Sequence, residues 1–277
     1  MNEHIGLRGR VWFEAVTGEH QSRPGDPMSV LFIRARIGKD SALFLCVVPN
    51  KESRFPCVRD GQVGLEEAYA LAFRVRQAME DDREKPRAEK SPIIAVVDVK
   101  SQAYGRREET AGIFLAAAAA ADAYASARMA GHPVIALVAG HAFSGGFLTH
   151  GYQANRILAF DDSGVMIHAM HKEAAARITR RSVADLERLG HEIIPMSYDV
   201  KDFARLGLIH KLLHADDPMR PSASEVDAVK QALIEAIDDT RAGGTDLNNR
   251  FQSAEAIVAR RAGLAARAAM ELQWRQA

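Results

Sequence analysis

Two short runs with no polar residue inside them constrain this chain more than any other feature. Pro92-Ile93-Ile94-Ala95-Val96-Val97 ends at Asp98, and Pro133-Val134-Ile135-Ala136-Leu137-Val138-Ala139 ends at Gly140. Such short, wholly apolar runs suit strands buried on both faces, the condition of a parallel sheet covered by helices. Each run leads into a polar or glycine-rich loop and then into a helical pattern. Arg156-Ile157-Leu158-Ala159-Phe160 reads as a third strand and Val165-Met166-Ile167 as a fourth. Alternation of strand, loop and helix implies an α/β fold with parallel strands.

The flanking segments fit that frame. Residues 29–48 read as a β-hairpin turning at Gly38-Lys39-Asp40-Ser41. Residues 65–82 carry apolar side chains at helical spacing, and 81–87 form a polar linker broken by Pro86. Ser101–Thr110 reads as a polar loop. A long helix over about 109–130 follows, ending near Gly131 and containing an unbroken alanine run at 116–121. That run suits close packing on neighbouring backbone or on a partner helix. Residues 222–277 read as helical, with Ser222 and Glu225 spaced as a capping box. The expectation is one domain over 1–277, with 222–277 its helical C-terminal region.

Composition excludes several classes. Lys+Arg and Asp+Glu both number 36, so nothing favours nucleic acid or an anionic membrane as a partner. The two cysteines, Cys46 and Cys57, offer neither a disulfide framework nor metal-type spacing. With no ligand pattern among the histidines either, no metal is expected. Neither a signal peptide nor an apolar run of membrane-span length, about 18 residues, is present, so the expected location is the cytoplasm.

Two loops carry candidate chemistry. In Gly140-His141-Ala142-Phe143-Ser144-Gly145-Gly146, a buried strand delivers paired glycines to the start of a helix. The first amides of a helix lack internal partners, and glycine leaves room for an oxygen to approach them. Such donors can hold a developing oxyanion; a plain strand-to-helix turn is the alternative. Asp98–Glu109 leaves the equivalent end of its own strand and can converge on the same crevice; alone, it could equally be an exposed loop. Ser144 stays open between a helix N-cap, a contact to a substrate carboxylate, and the nucleophile of a G-x-S-x-G-like elbow in which Ala142 replaces the first glycine. Among the ten histidines, His141, His150, His168 and His171 are possible bases, although satisfied or surface histidines are commoner. Arg177, Arg180 and Arg181 form a cluster that suits a solvated helix face, a phosphopantetheine phosphate or an acidic carrier protein.

Pro133–Phe147 resembles the glycine-rich oxyanion segment of the crotonase superfamily, and Asp98–Glu109 resembles the acidic loop of carboxyltransferase subunits of acyl-CoA carboxylases. The hairpin end Val47-Val48-Pro49-Asn50, Ser101–Gly105, Gly140–Gly146, Met166–Met170 and Asp202–Ile209 together resemble the malonate decarboxylase gamma subunit. That resemblance implies a crotonase-like ββα spiral. It implies decarboxylation of a malonyl thioester to an acetyl thioester and CO2, carried out with a beta subunit. The thioester would sit on the CoA-derived prosthetic group of an acyl carrier protein subunit, with no cofactor tightly bound to this chain. Gly145 and Gly146, with Ser144, would stabilise the enolate. Gln102, Ala103, Tyr104, Gly105 and His141 would border the substrate. The chain departs from the hydratases of the superfamily, whose two glutamates fall at Leu148 and near Met170. A hydratase needs those carboxylates, whereas a decarboxylase does not. A biotin-dependent carboxyltransferase subunit, a non-catalytic scaffold and a serine hydrolase using Ser144 remain the alternatives.

Overall fold

The computed structural model describes residues 7–18 and 26–276. Residues 1–6, on which part of the N-terminal reading rests, lie outside that range. Helix α1 (Leu7–Thr17) buries Trp12, Phe13 and Val16. Strands β1 (Val30–Ile37) and β2 (Asp40–Val47) form the expected hairpin with Val30 opposite Val47, turning tightly on Gly38, whose φ is +56°. Helix α2 (Leu65–Asp81) leads to β3 (Ile93–Val99), which is buried along its whole length.

The expected helix over 109–130 is two helices. Gly112 adopts φ +86° and separates α3 (Arg106–Thr110) from α4 (Ile113–Met129). A left-handed residue cannot continue an α-helix, and glycine takes it at no steric cost. Strand β4 (Val134–Phe143) is longer than the apolar run, because Gly140–Phe143 stay extended. Helix α5 (Ser144–Thr149), β5 (Arg156–Phe160) and β6 (Met166–His168) follow. Next come α6 (Lys172–Thr179), α7 (Val183–Glu192), α8 (Val200–Arg205) and β7 (Lys211–Leu213). Over the described residues 222–276 the chain forms three helices, α9 (Ala223–Ala242), α10 (Ala254–Ala259) and α11 (Arg261–Gln276). The Ser222–Glu225 capping box forms.

The sheet order is β1-β2-β3-β4-β5-β7, antiparallel only at the hairpin. The first half of β4 pairs with β5 and its last residues pair with β6. One strand thus serves two neighbours in succession. Helices α2 and α4 pack on each other, while α1 lies against β2, β3, β4 and α9. Trp12 meets Phe160 with ring centroids 4.3 Å apart, anchoring α1 to β5. No helix among the described residues is long and apolar enough to cross a membrane.

Candidate active site

The site grows from the end of β4. Asp98, buried at the end of β3, accepts the His141 amide at 2.9 Å and the Gly9 amide at 3.1 Å. A Cβ at Gly140 would run into the Asp98 carboxylate, so glycine is required there. Asp98 therefore binds β4 and α1 to β3 through backbone donors. That explains the isolated carboxylate at the end of an apolar run.

Ser144 then turns the chain. Its φ is +53°, in the left-handed region that costs a non-glycine residue roughly 1 kcal/mol. The N-cap reading of Ser144 does not hold. Phe143 stands in the cap position with no side-chain capping bond, and Ser144, its φ left-handed, accepts no amide of the helix among the described residues. No imidazole or carboxylate hydrogen-bonds to Ser144 among the described residues, so the structure assembles no nucleophile dyad around it.

The two candidate loops do meet. The Gly145 amide donates to Gln102 Oε1 at 2.8 Å, and Ser101 Oγ donates to the same oxygen at 3.1 Å. Behind them, a Cβ on Gly146 would lie 2.5 Å from the Ser101 carbonyl carbon and oxygen, so the strap at 101–102 touches the helix directly. That strap is fixed by bonds from the Val63 amide to Ser101 O (2.9 Å) and from the Ala103 amide to Val63 O (2.8 Å).

Ser144 and Gly145 also line a cavity of about 430 Å³. Its walls are Phe147, Leu148, Ile167, Phe203 and other apolar groups, with Tyr152, His168 and Arg260 as the charged or titratable members; no Asp or Glu among the described residues contributes. His168 stacks on Phe143 at 3.7 Å, and Phe143 also meets His141 at 4.5 Å. Burial and the neighbouring His171 and His141 push the His168 pKa down to about 4, so it is neutral at pH 7. His141 is also lowered, by burial first, with Asp98 opposing. His150 is wholly buried between Tyr124 OH (2.9 Å) and Val96 O (3.0 Å); burial lowers it to about 4 and marks it as a core residue.

The other expected site residues fall elsewhere. Ala103 is buried in the strap, Tyr104 and Gly105 are exposed at the start of α3, and His141 faces Asp98 rather than the cavity. Arg177, Arg180 and Arg181 are exposed and do not line it. The described residues hold no cluster of three or more His, Cys, Asp or Glu suited to a metal ion. Arg260 carried no local signal in the sequence, since it reaches the cavity from the α10–α11 junction. For His168, the signal was its place at the end of a short strand beside β4.

Residues 58–272 match the family described as malonate decarboxylase gamma subunit. The malonyl-S-ACP:biotin-protein carboxyltransferase MADD of Malonomonas rubra is 37% identical over 188 residues, 67% of this chain and 64% of that relative. The match therefore spans less than two thirds of the relative's own length. Among solved structures, a chain of a Pseudomonas malonate decarboxylase hetero-tetramer in complex with coenzyme A is 48% identical, with TM-score 0.89 over 96% of this chain and 99% of that one. A Pseudomonas MdcD-MdcE hetero-dimer gives 44% identity and TM-score 0.86, covering 96% of this chain and 99% of that one. Transcarboxylase 12S, at 17% identity and TM-score 0.62 over 84% of this chain and 42% of that one, shares the fold alone and supports the crotonase-like α/β spiral expected above. Strand order, paired-glycine bend and full-length likeness agree: the chain belongs to the malonate decarboxylase gamma subunit family.

Proposed function

We propose that the chain works with a beta subunit to decarboxylate a malonyl thioester, carried on the CoA-derived arm of an acyl carrier protein subunit, in the cytoplasm. The observation that carries this reading is a cavity beside Gly145 with largely apolar walls and no carboxylate among the described residues. Decarboxylation breaks the bond between the α-carbon and the carboxylate, and its electron pair passes into the thioester as an enolate. CO2 leaves, and a proton from water then completes the acetyl group. No acid–base carboxylate is needed for the bond-breaking step. A donor at the thioester oxygen and exclusion of water are needed.

Gly145 supplies such a donor in this reading. Gln102 Oε1, a carbonyl oxygen 2.8 Å from the Gly145 amide, occupies the place a thioester oxygen would take. The substrate oxygen replaces it when Gln102 swings aside, and Gly146 keeps the helix close to the strap. Tyr104 and Gly105 extend the border toward the partner, and Ser144 contributes one hydroxyl at the cavity wall.

An exposed apolar face supports a beta-subunit partner. Tyr69 and Phe73 on α2 and Phe114 and Leu115 on α4 are each at least half exposed. The Arg76–Asp122 contact at 2.9 Å joins these two helices, which pack on each other. Of the alanine run, only Ala120 is buried, so the others leave room for a close neighbour. The Malonomonas rubra relative favours a second reading, transfer of the carboxyl group to biotin rather than its release.

The deciding experiment is co-expression with the beta subunit, followed by assay of malonyl-thioester turnover with and without a biotinyl carrier. CO2 release by the pair without biotin, and little from this chain alone, is expected. Strict biotin dependence would favour the transferase reading. Equal activity of the isolated chain would refute the two-subunit site.

A further inference from the structure

The cavity beside Gly145 contains one cation that the fold itself leaves unused. Arg260 donates its Nε to Leu206 O at 2.7 Å, and its guanidinium carbon lies 5.1 Å from the Phe251 ring centroid. Both anchors hold the stem and one edge of the guanidinium. Neither Nη group has an acceptor among the described residues, and no carboxylate pairs with Arg260. Other partly buried arginines are consumed by the fold. Arg8 is paired with Asp162 and Arg241 with Asp40, while Arg250 gives two bonds to carbonyls of the 152–154 turn. Arg260 is only partly buried and its Nη groups are not sealed, so they are free to meet an anion that enters the cavity.

His168 gives a second, independent indication. It is only 9% exposed and lines the same cavity. Its Nδ1 is sealed without a hydrogen-bond partner, whereas Nε2 is not sealed. Nε2 is therefore the ring nitrogen that a group entering the cavity can reach. The stack on Phe143 at 3.7 Å fixes the ring.

We infer that Arg260 and His168 form a carboxylate-binding end of this cavity, which selects a thioester bearing a free carboxylate over the same thioester without one. The inference rests on the function proposed above and names the specificity determinants of its site. The chemistry restricts what Arg260 can do. During decarboxylation, charge drains from the carboxylate toward the thioester oxygen, so a cation on the carboxylate stabilises the ground state more than the transition state. Arg260 is therefore a specificity determinant whose effect appears in KM and not in kcat. His168, neutral because its pKa lies near 4, meets the carboxylate through Nε2 without adding a second charge that would hold it back. The remaining apolar wall accepts neutral CO2.

The test uses the beta–gamma complex. Calorimetry with malonyl-CoA and acetyl-CoA, in conditions too brief for turnover, gives the binding ratio. R260Q should weaken malonyl-CoA binding by roughly ten- to a hundredfold, the worth of a charge-assisted hydrogen bond, and leave acetyl-CoA binding unchanged. R260K should recover part of the loss. KM should rise by a similar factor with kcat unchanged or higher, and H168F should reproduce a smaller version of the same split. Free malonate should compete with malonyl-CoA on the wild-type complex at least tenfold better than acetate, a measurement that needs no variant to fold. Equal loss for both thioesters in R260Q, or equal competition by malonate and acetate, would overturn the inference. If the wild-type complex turned over no malonyl thioester, the proposed function would fall while the binding ratio still decided the role of Arg260.

Discussion

Gly145 and Gly146 are adjacent and look interchangeable in the sequence, yet the structure gives them opposite sensitivities. An alanine Cβ at 146 would sit 2.5 Å from the Ser101 carbonyl carbon and oxygen and 3.1 Å from the Gln102 nitrogen. These are backbone atoms, so relief requires the strap to retreat by roughly 1 Å to ordinary contact. That retreat strains the bonds Val63 N–H to Ser101 O and Ala103 N–H to Val63 O, now 2.9 and 2.8 Å. Overpacking costs about 1–3 kcal/mol and each weakened bond up to about 1 kcal/mol, so Gly146→Ala should destabilise by roughly 2–4 kcal/mol. For a chain of this size, that is a fall in melting temperature of roughly 5–15 °C. At 145 the Cβ meets only the end of the Gln102 side chain, at 2.6 and 2.8 Å, which can rotate away. Alanine regains helix propensity of about 1 kcal/mol and forfeits about one hydrogen bond, so stability should hold within roughly 1 kcal/mol. Turnover should behave in the opposite way. The new methyl occupies the approach to the Gly145 amide, and losing one oxyanion donor costs about 3 kcal/mol, roughly a hundredfold. Thermal melts and malonyl-thioester turnover of the two variants in complex with the beta subunit check this. A Gly145→Ala enzyme with wild-type turnover, or one that melts as low as Gly146→Ala, would refute the reasoning.

Three further outcomes are expected. Ser144→Gly should relieve the left-handed strain and raise stability by up to about 1 kcal/mol, read in thermal melts, and Ser144→Ala should cut turnover by at most about a hundredfold; an acyl-Ser144 adduct in mass spectrometry would contradict the second and restore the hydrolase reading. His150 is held neutral in the fold with a pKa near 4 against an ordinary 6.5. The unfolded chain therefore binds the extra proton first, and stability falls as pH drops from about 6.5 to about 4, by on the order of 3 kcal/mol from this group. Urea unfolding across that window should show a shallower slope in His150→Asn than in wild type, and identical slopes would remove His150 from the account. Asp98→Ala should strand the Gly9 and His141 amides and cost roughly 3 kcal/mol, read by the same melts, with α1 losing hydrogen-exchange protection first.

How much of this was legible in the sequence depended on whether a feature is local. Apolar runs reveal buried strands because burial on both faces forbids any polar residue. The hairpin, β3, β4 and α2 could therefore be placed from residue type alone. The long alanine-rich helix misled because alanine favours helix so strongly that the break at Gly112 was lost. One glycine in a helical pattern is ambiguous until its φ of +86° is seen. The far end of β4 misled in the other direction. Gly140-His141-Ala142-Phe143 has weak strand propensity, and its pairing with β6, the Ala142–Val99 pairing with β3 and the Asp98 carboxylate keep it extended. Those contacts shifted the helix start and moved Ser144 out of the cap position. Helix α1 went unread because its buried face is short and it is held partly by Asp98, which accepts a backbone amide there and leaves no side-chain pattern.

For the site, the sequence could show that two loops leave neighbouring strands at the same end, and convergence follows from sheet geometry. It could not show that Gln102, rather than Tyr104 or Gly105, touches the Gly145 amide. That choice is made by the strap's pairing with Val63, nearly forty residues earlier in the chain. Arg260 was further from reach, because nothing in Ala259-Arg260-Arg261 distinguishes a surface arginine from one whose Nη groups are left without acceptors at a cavity wall. What marks it is an absence visible only in three dimensions: the Asp and Glu side chains that pair with other partly buried arginines do not line this cavity. The same absence removed hydration from consideration when Leu148 and Met170 stood where acids would be needed. The missing carboxylates thus bear on both halves of the proposed chemistry. They leave no general base to add water, and they leave Arg260 unneutralised for a carboxylate that arrives with the substrate.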